Sequence, residues 1–110
     1  LEPARRRPLT SGQVHSMLAS HPSAATYATK ALRGEVERVL AAKEGSRNHT
    51  LNKAAFAVGT LVGAGMLPKH LAEDQLINAA LQIGLEADEG ENTVHSGLQA
   101  GIRRPRGAAA

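Results

Sequence analysis

Apolar residues recur at every third and fourth position through four successive stretches of the chain, a spacing that lays them along one face of a helix and fits no strand. From about Ser23 to Lys43 the stripe is Tyr27, Ala28, Ala31, Leu32, Val36, Val39 and Leu40, while Lys30, Arg33, Glu37 and Arg38 fall mostly elsewhere. Leu51, Ala54, Ala55, Val58, Leu61 and Val62 repeat the pattern between a cap at Asn48 or Thr50 and a terminal Gly65. Pro68 suits the first turn of a third helix, which Leu71, Leu76, Ile77, Ala80 and Leu81 carry to Gly84. Acids from Asp88 to Glu91 stand where a helix N-terminus favours them, and Val94, Leu98 and Ile102 then form a last apolar face ending near Pro105.

A short leading helix is expected between Ser11 and Ala19, where Val14, Met17 and Leu18 follow a Ser11 cap and His21-Pro22 stops the run. Connections of a few residues imply antiparallel neighbours. The expected fold is therefore all-α, a compact antiparallel bundle of four main helices plus the short N-terminal one. Gly97 and Gly101 lie one turn apart in the last helix and cost it propensity, so close packing against another helix is expected to compensate.

A chain of 110 residues holds one modest core. With one Phe, one Tyr and no Trp, that core must be built from Leu, Val, Ile and Ala. Tyr27 and Phe56 both sit on apolar stripes and are expected inside it rather than free to stack on bases. The bundle should span residues 11–106, between a flexible basic linker at 1–10, rich in Pro and Arg, and a flexible tail at 107–110. Both ends read as linker, as in a piece of a longer protein.

Several function classes are not supported. The chain has no cysteine, which removes disulfides and thiolate metal sites, and its five histidines include no pair at i, i+4. There is no Gly-x-Ser-x-Gly elbow and no Gly-x4-Gly-Lys-Ser/Thr phosphate loop. No catalytic residue, metal ligand or cofactor is expected within this domain. No apolar run reaches the roughly 20 residues that span a bilayer, and the basic start is not followed by a signal-peptide core, so a cytoplasmic protein without membrane contact is expected.

Charge is distributed unevenly. Residues 1–53 carry nine Lys or Arg against four acids, residues 54–102 carry one against six, and 103–106 add three arginines. Such asymmetry points to an anion-facing side and to nucleic acid. The stretch from Glu44 to Lys53 places Arg47, Asn48, Asn52 and Lys53 around a helix N-terminus, where free backbone N–H groups already attract phosphate. Arg103, Arg104 and Arg106 form a second candidate group after the last helix. Plainer roles fit the same residues: Asn48 as a cap, Asn52 bonded locally, Arg47 and Lys53 solvated, and the late arginines at their own helix carbonyls.

Tyr27-Ala28-Thr29-Lys30-Ala31-Leu32 with Glu35 and Glu37-Arg38-Val39, then Glu44-Gly45-Ser46-Arg47-Asn48 with Thr50-Leu51-Asn52 and Ala54-Ala55-Phe56, compose a recognisable pattern. It resembles the helical domain that follows the bifunctional primase/polymerase domain in actinobacterial phage and plasmid replication proteins. The similarity runs on through Gly59-Thr60-Leu61-Val62 to Thr93-Val94-His95-Ser96-Gly97-Leu98, Gly101 and Arg103, although family members often carry Arg where this chain has His95. The resemblance implies a non-catalytic accessory module in a bacterial host cell, assisting primer synthesis by binding single-stranded template DNA, an initiating nucleotide, or both. It also implies a parent primase/polymerase that uses Mg or Mn and nucleoside triphosphates, with the catalytic aspartates upstream and a helicase domain downstream. The alternative is a spacer that docks primase and helicase domains through the acidic third helix.

Overall fold

The computed structural model describes residues 22–107. The expected helix at Ser11–Ala19, the linker at 1–10 and residues 108–110 lie outside the described residues. Four helices make up the described chain: α1 Pro22–Leu40, α2 Arg47–Gly63, α3 Lys69–Gln82 and α4 Ala87–Ile102. No strand occurs among the described residues, as the three-and-four spacing requires.

The helix ends follow local chemistry. Gly65 and Gly84 adopt φ of 77° and 90°, a left-handed conformation that side chains oppose. Each lets the chain fold back on the preceding turn: Gly65 N–H donates to Val62 and Met66 N–H to Leu61, and Gly84 and Leu85 repeat the pattern onto Leu81 and Ala80. The start of α2 differs from expectation. Ser46, not Asn48 or Thr50, occupies the N-cap position, and its hydroxyl donates to the Lys43 carbonyl without capping the helix. Asn48 is already helical, and its side chain is used across the bundle instead. At α4 the cap is Glu86, whose carboxylate accepts from Glu89 N–H at 3.1 Å, while Asp88 and Glu89 stand in the first turn as expected.

Consecutive helices run antiparallel. The start of α2 meets the end of α3, where Arg47 reaches the Ile83 carbonyl. Ala80 of α3 packs beside Gly90, and Glu73, a turn and more earlier, pairs with His95. Leu32, Val39, Leu51, Leu61, Leu76, Val94 and Leu98 fill the core with a supporting layer of alanines.

Antiparallel succession leaves α2 and α4 parallel, and this pair is the closest in the molecule. A Cβ built on Gly59 would stand 2.5 Å from the Leu98 carbonyl oxygen, and one on Gly63 would stand 2.5 Å from that of Ile102. On the other helix, Gly97 faces the Ala55 methyl, which would be 2.6 Å from an added Cβ, and Gly101 faces the Phe56 carbonyl and Gly59. Side chains at these positions are excluded by backbone, which moves only if the helices part. The compensation expected for Gly97 and Gly101 is therefore present, with glycines supplied from both sides.

The expectation for the aromatics is corrected. Phe56, whose carbonyl faces Gly101, is 40% exposed, because no ring fits between two helices that meet backbone to backbone. Tyr27, on α1, is 47% exposed, with the Arg106 guanidinium over its ring. Leu40 and Leu81, also on the predicted stripes, are similarly exposed.

Candidate functional site

α2 contains no acidic residue anywhere along Arg47–Gly63. Its outward side carries Asn48, His49, Asn52, Lys53 and Phe56, all exposed, at spacings that stack them along one face. Two depressions flank this face. The first, of about 480 Å³, lies toward α1 and is lined by Glu35, Arg38 and Ala42 on one wall and His49, Thr50, Lys53, Ala54 and Ala57 on the other. The second, of about 430 Å³, lies toward α4 and is lined by Asn48, His49 and Asn52 with Asn92, Thr93 and Ser96. His49 borders both, so the two form a continuous relief across α2.

The sequence-selected residues divide by what holds them. Arg47 is half-buried and donates to the Ile83 carbonyl at the end of α3, where a cation complements the exposed carbonyls. Asn48 accepts from the Thr93 hydroxyl at 2.6 Å, and Asn52 lies against Gly97. Lys53 is exposed at the rim of the first depression, opposite Arg38, whose guanidinium is 3.1 Å from Glu35. Lys53 enters no ion pair among the described residues.

Arg103, Arg104 and Arg106 lie at the other end. Ile102 sits beside Gly63, the last residue of α2, and a 17-residue helix is about 24 Å long, so they do not join the Arg47–Lys53 group. Arg103 and Arg104 are exposed. Arg106 is half-buried and acts as a clasp: Nε donates to Thr60 Oγ1, Nη1 to the Tyr27 hydroxyl and Nη2 to the Ala57 carbonyl, each at 3.0 Å. Its backbone N–H adds a bond to the Thr60 carbonyl at 2.9 Å. These bonds tie the chain after α4 to α2 and α1.

Charge at the start of α2 is mixed. The first-turn N–H groups receive no side-chain cap, yet Glu86, Asp88 and Glu89 at the start of the parallel α4 lie at the same end. The cationic character of the face therefore sits further along α2, around Lys53 and Arg38. Among the described residues no group of three His, Asp or Glu could hold a metal ion, and no helix is long and apolar enough to cross a membrane.

Residue type alone missed Tyr27 and Phe56 as surface groups and missed Asn92, Thr93 and Ser96 as neighbours of Asn48 and Asn52. A signal was present in the paired glycines: Gly97 and Gly101 require a small-residue partner, Ala55 and Gly59 supply it, and that register turns Phe56 outward. Compared with protein-family models, curated proteins and solved structures, the chain gives no match in any of the three.

Proposed function

We propose that the outward face of α2 binds single-stranded DNA, and that the domain serves as a non-catalytic accessory of a DNA primase/polymerase, holding template strand or initiating nucleotide. The observation that carries this reading is exposed Phe56 beside Lys53, with Arg38 across the first depression, on a surface whose central helix has no acid. Unstacked bases need an exposed ring face, and the strand's phosphates need nearby cations. Lys53 and Arg38 would follow the phosphates along the first depression while bases lie over α2. Arg38, itself exposed, would exchange its contact with partly buried Glu35 for phosphate. The pairing of this face with a primase/polymerase rests on the sequence resemblance; an initiating nucleotide presents the same base and phosphate chemistry.

A fluorescence-anisotropy titration with a labelled single strand, repeated across salt concentrations, tests the proposal. Affinity should fall as salt rises, with a log–log slope of about −0.7 for each phosphate neutralised. The double variant Lys53→Glu with Phe56→Leu should retain its fold and lose most of the binding. Equal affinity of the variant and the parent chain would refute the assignment.

The exposed Leu81 on α3 favours a second reading, a docking surface toward an adjoining primase or helicase domain. Calorimetric titration of the domain with each separate neighbour, comparing Leu81→Ser, distinguishes it: heat that disappears with the variant supports docking.

A further inference from the structure

We infer that the depression between α2 and α4 is a base-reading subsite that takes the acceptor-rich edge of a single nucleobase, guanine above adenine. This rests on the single-strand reading and adds selectivity to it. The six lining residues, Asn48, His49, Asn52, Asn92, Thr93 and Ser96, include no Lys, Arg, Asp or Glu, whereas the groove across His49 holds Arg38 and Lys53. Phosphate is gripped by charge; a base edge is recognised by neutral donors and acceptors held in fixed directions.

Of the two amides of α2, Asn48 is held by a hydrogen bond and Asn52 is turned the same way beside a glycine. Thr93 Oγ1 donates to Asn48 Oδ1 at 2.6 Å, which turns that oxygen toward α4. Asn52 Oδ1 also faces α4, at 3.1 Å from where a Cβ on Gly97 would stand, so the missing side chain at Gly97 leaves it room. With both oxygens turned inward, the NH2 groups of Asn48 and Asn52, one helical turn apart, remain to donate outward. Guanine presents two adjacent acceptors, N7 and O6, to such a pair. Adenine presents one acceptor beside a donor, which would face an NH2 group unfavourably. Phe56, one turn beyond Asn52 and exposed, supplies a ring face on which the base can rest while its edge is read.

Three labelled adenine twelve-mers test this, with the central position left as adenine, replaced by guanine or made abasic. The guanine strand should bind on the order of tenfold tighter than the other two. Asn52→Ala, an exposed position whose change should leave thermal unfolding unaltered, should erase that advantage, bringing the guanine strand to the affinity of the all-adenine strand. Lys53→Gln should instead weaken all three alike and flatten their salt dependence. Equal binding of the three strands by the parent chain, or an Asn52→Ala variant weakened equally for all, overturns the base-reading subsite and leaves the single-strand reading standing. Absence of binding to any strand overturns both.

Discussion

α2 and α3 both pack on α4, but by different means. α2 meets it through Gly59, Gly63, Gly97 and Gly101, with backbone against backbone; α3 meets it through Ala80 beside Gly90 and, at the rim, a His95–Glu73 contact of 3.5 Å. The outward faces differ correspondingly. On α3 the polar side chains answer one another locally, Lys69 with Glu73 at 4.0 Å and the His70 imidazole with Asp74 at 3.3 Å. On α2 there is no acid, and Lys53 stands beside exposed Phe56. The difference shows that a count of charges does not measure what a surface offers to a ligand: Glu73 of the acidic helix has Lys69 beside it, while the sparsely charged helix leaves its cation available on a platform fixed by glycine packing.

The largest effect should come from breaking that packing. Gly101→Val forces α2 and α4 apart and should lower stability by about 3 kcal/mol in urea unfolding, because the obstructing atoms belong to backbone. Asn78→Val, an exposed position on α3, should stay within about 0.5 kcal/mol and serves as the control. Comparable losses would mean that Gly101 is not held by close backbone packing.

Arg106→Ala should come next, at about 2 kcal/mol, since it removes three directed bonds, to Thr60 Oγ1, the Tyr27 hydroxyl and the Ala57 carbonyl, that tie the chain after α4 to α2 and α1. Arg106→Lys should recover little, because one ammonium cannot reproduce three directed N–H bonds.

Phe56→Leu keeps apolar bulk and removes the ring face. Single-strand affinity should fall about tenfold while the unfolding midpoint barely moves. The smallest effect belongs to the α3 rim, where Glu73→Gln should change stability by no more than about 0.5 kcal/mol and leave DNA affinity unaltered, as exposed ion pairs contribute little.

The helices were legible because their apolar spacing is set by the helix itself. The glycine contact was legible too, since Gly97 and Gly101 would weaken α4 without a close neighbour. What lay beyond reach was set by distant partners. Asn48 is a good cap by residue type, yet its bond is to Thr93, and Ser46 holds the cap position. Arg47 and Arg106 look available to phosphate in the chain, but long guanidinium arms reach carbonyls that only folding brings near, those of Ile83 and Ala57. Arg103 and Arg104 follow Arg47 in charge but stand at the opposite end of the bundle. Tyr27 and Phe56 obey the apolar spacing, and only the register of the α2–α4 contact turns Phe56 outward. Lys53, Asn48 and Asn52 remain grouped on α2 as their spacing implies.

The most direct test of the α2 face is a two-dimensional NMR titration of the isotope-labelled chain with a short single-stranded DNA at low and moderate salt. Shifts should concentrate on Asn48, His49, Asn52, Lys53 and Phe56, weaken with salt, and spare the outward side of α3. Shifts confined to α3, or none at either salt, would contradict the assignment of α2 as the binding face.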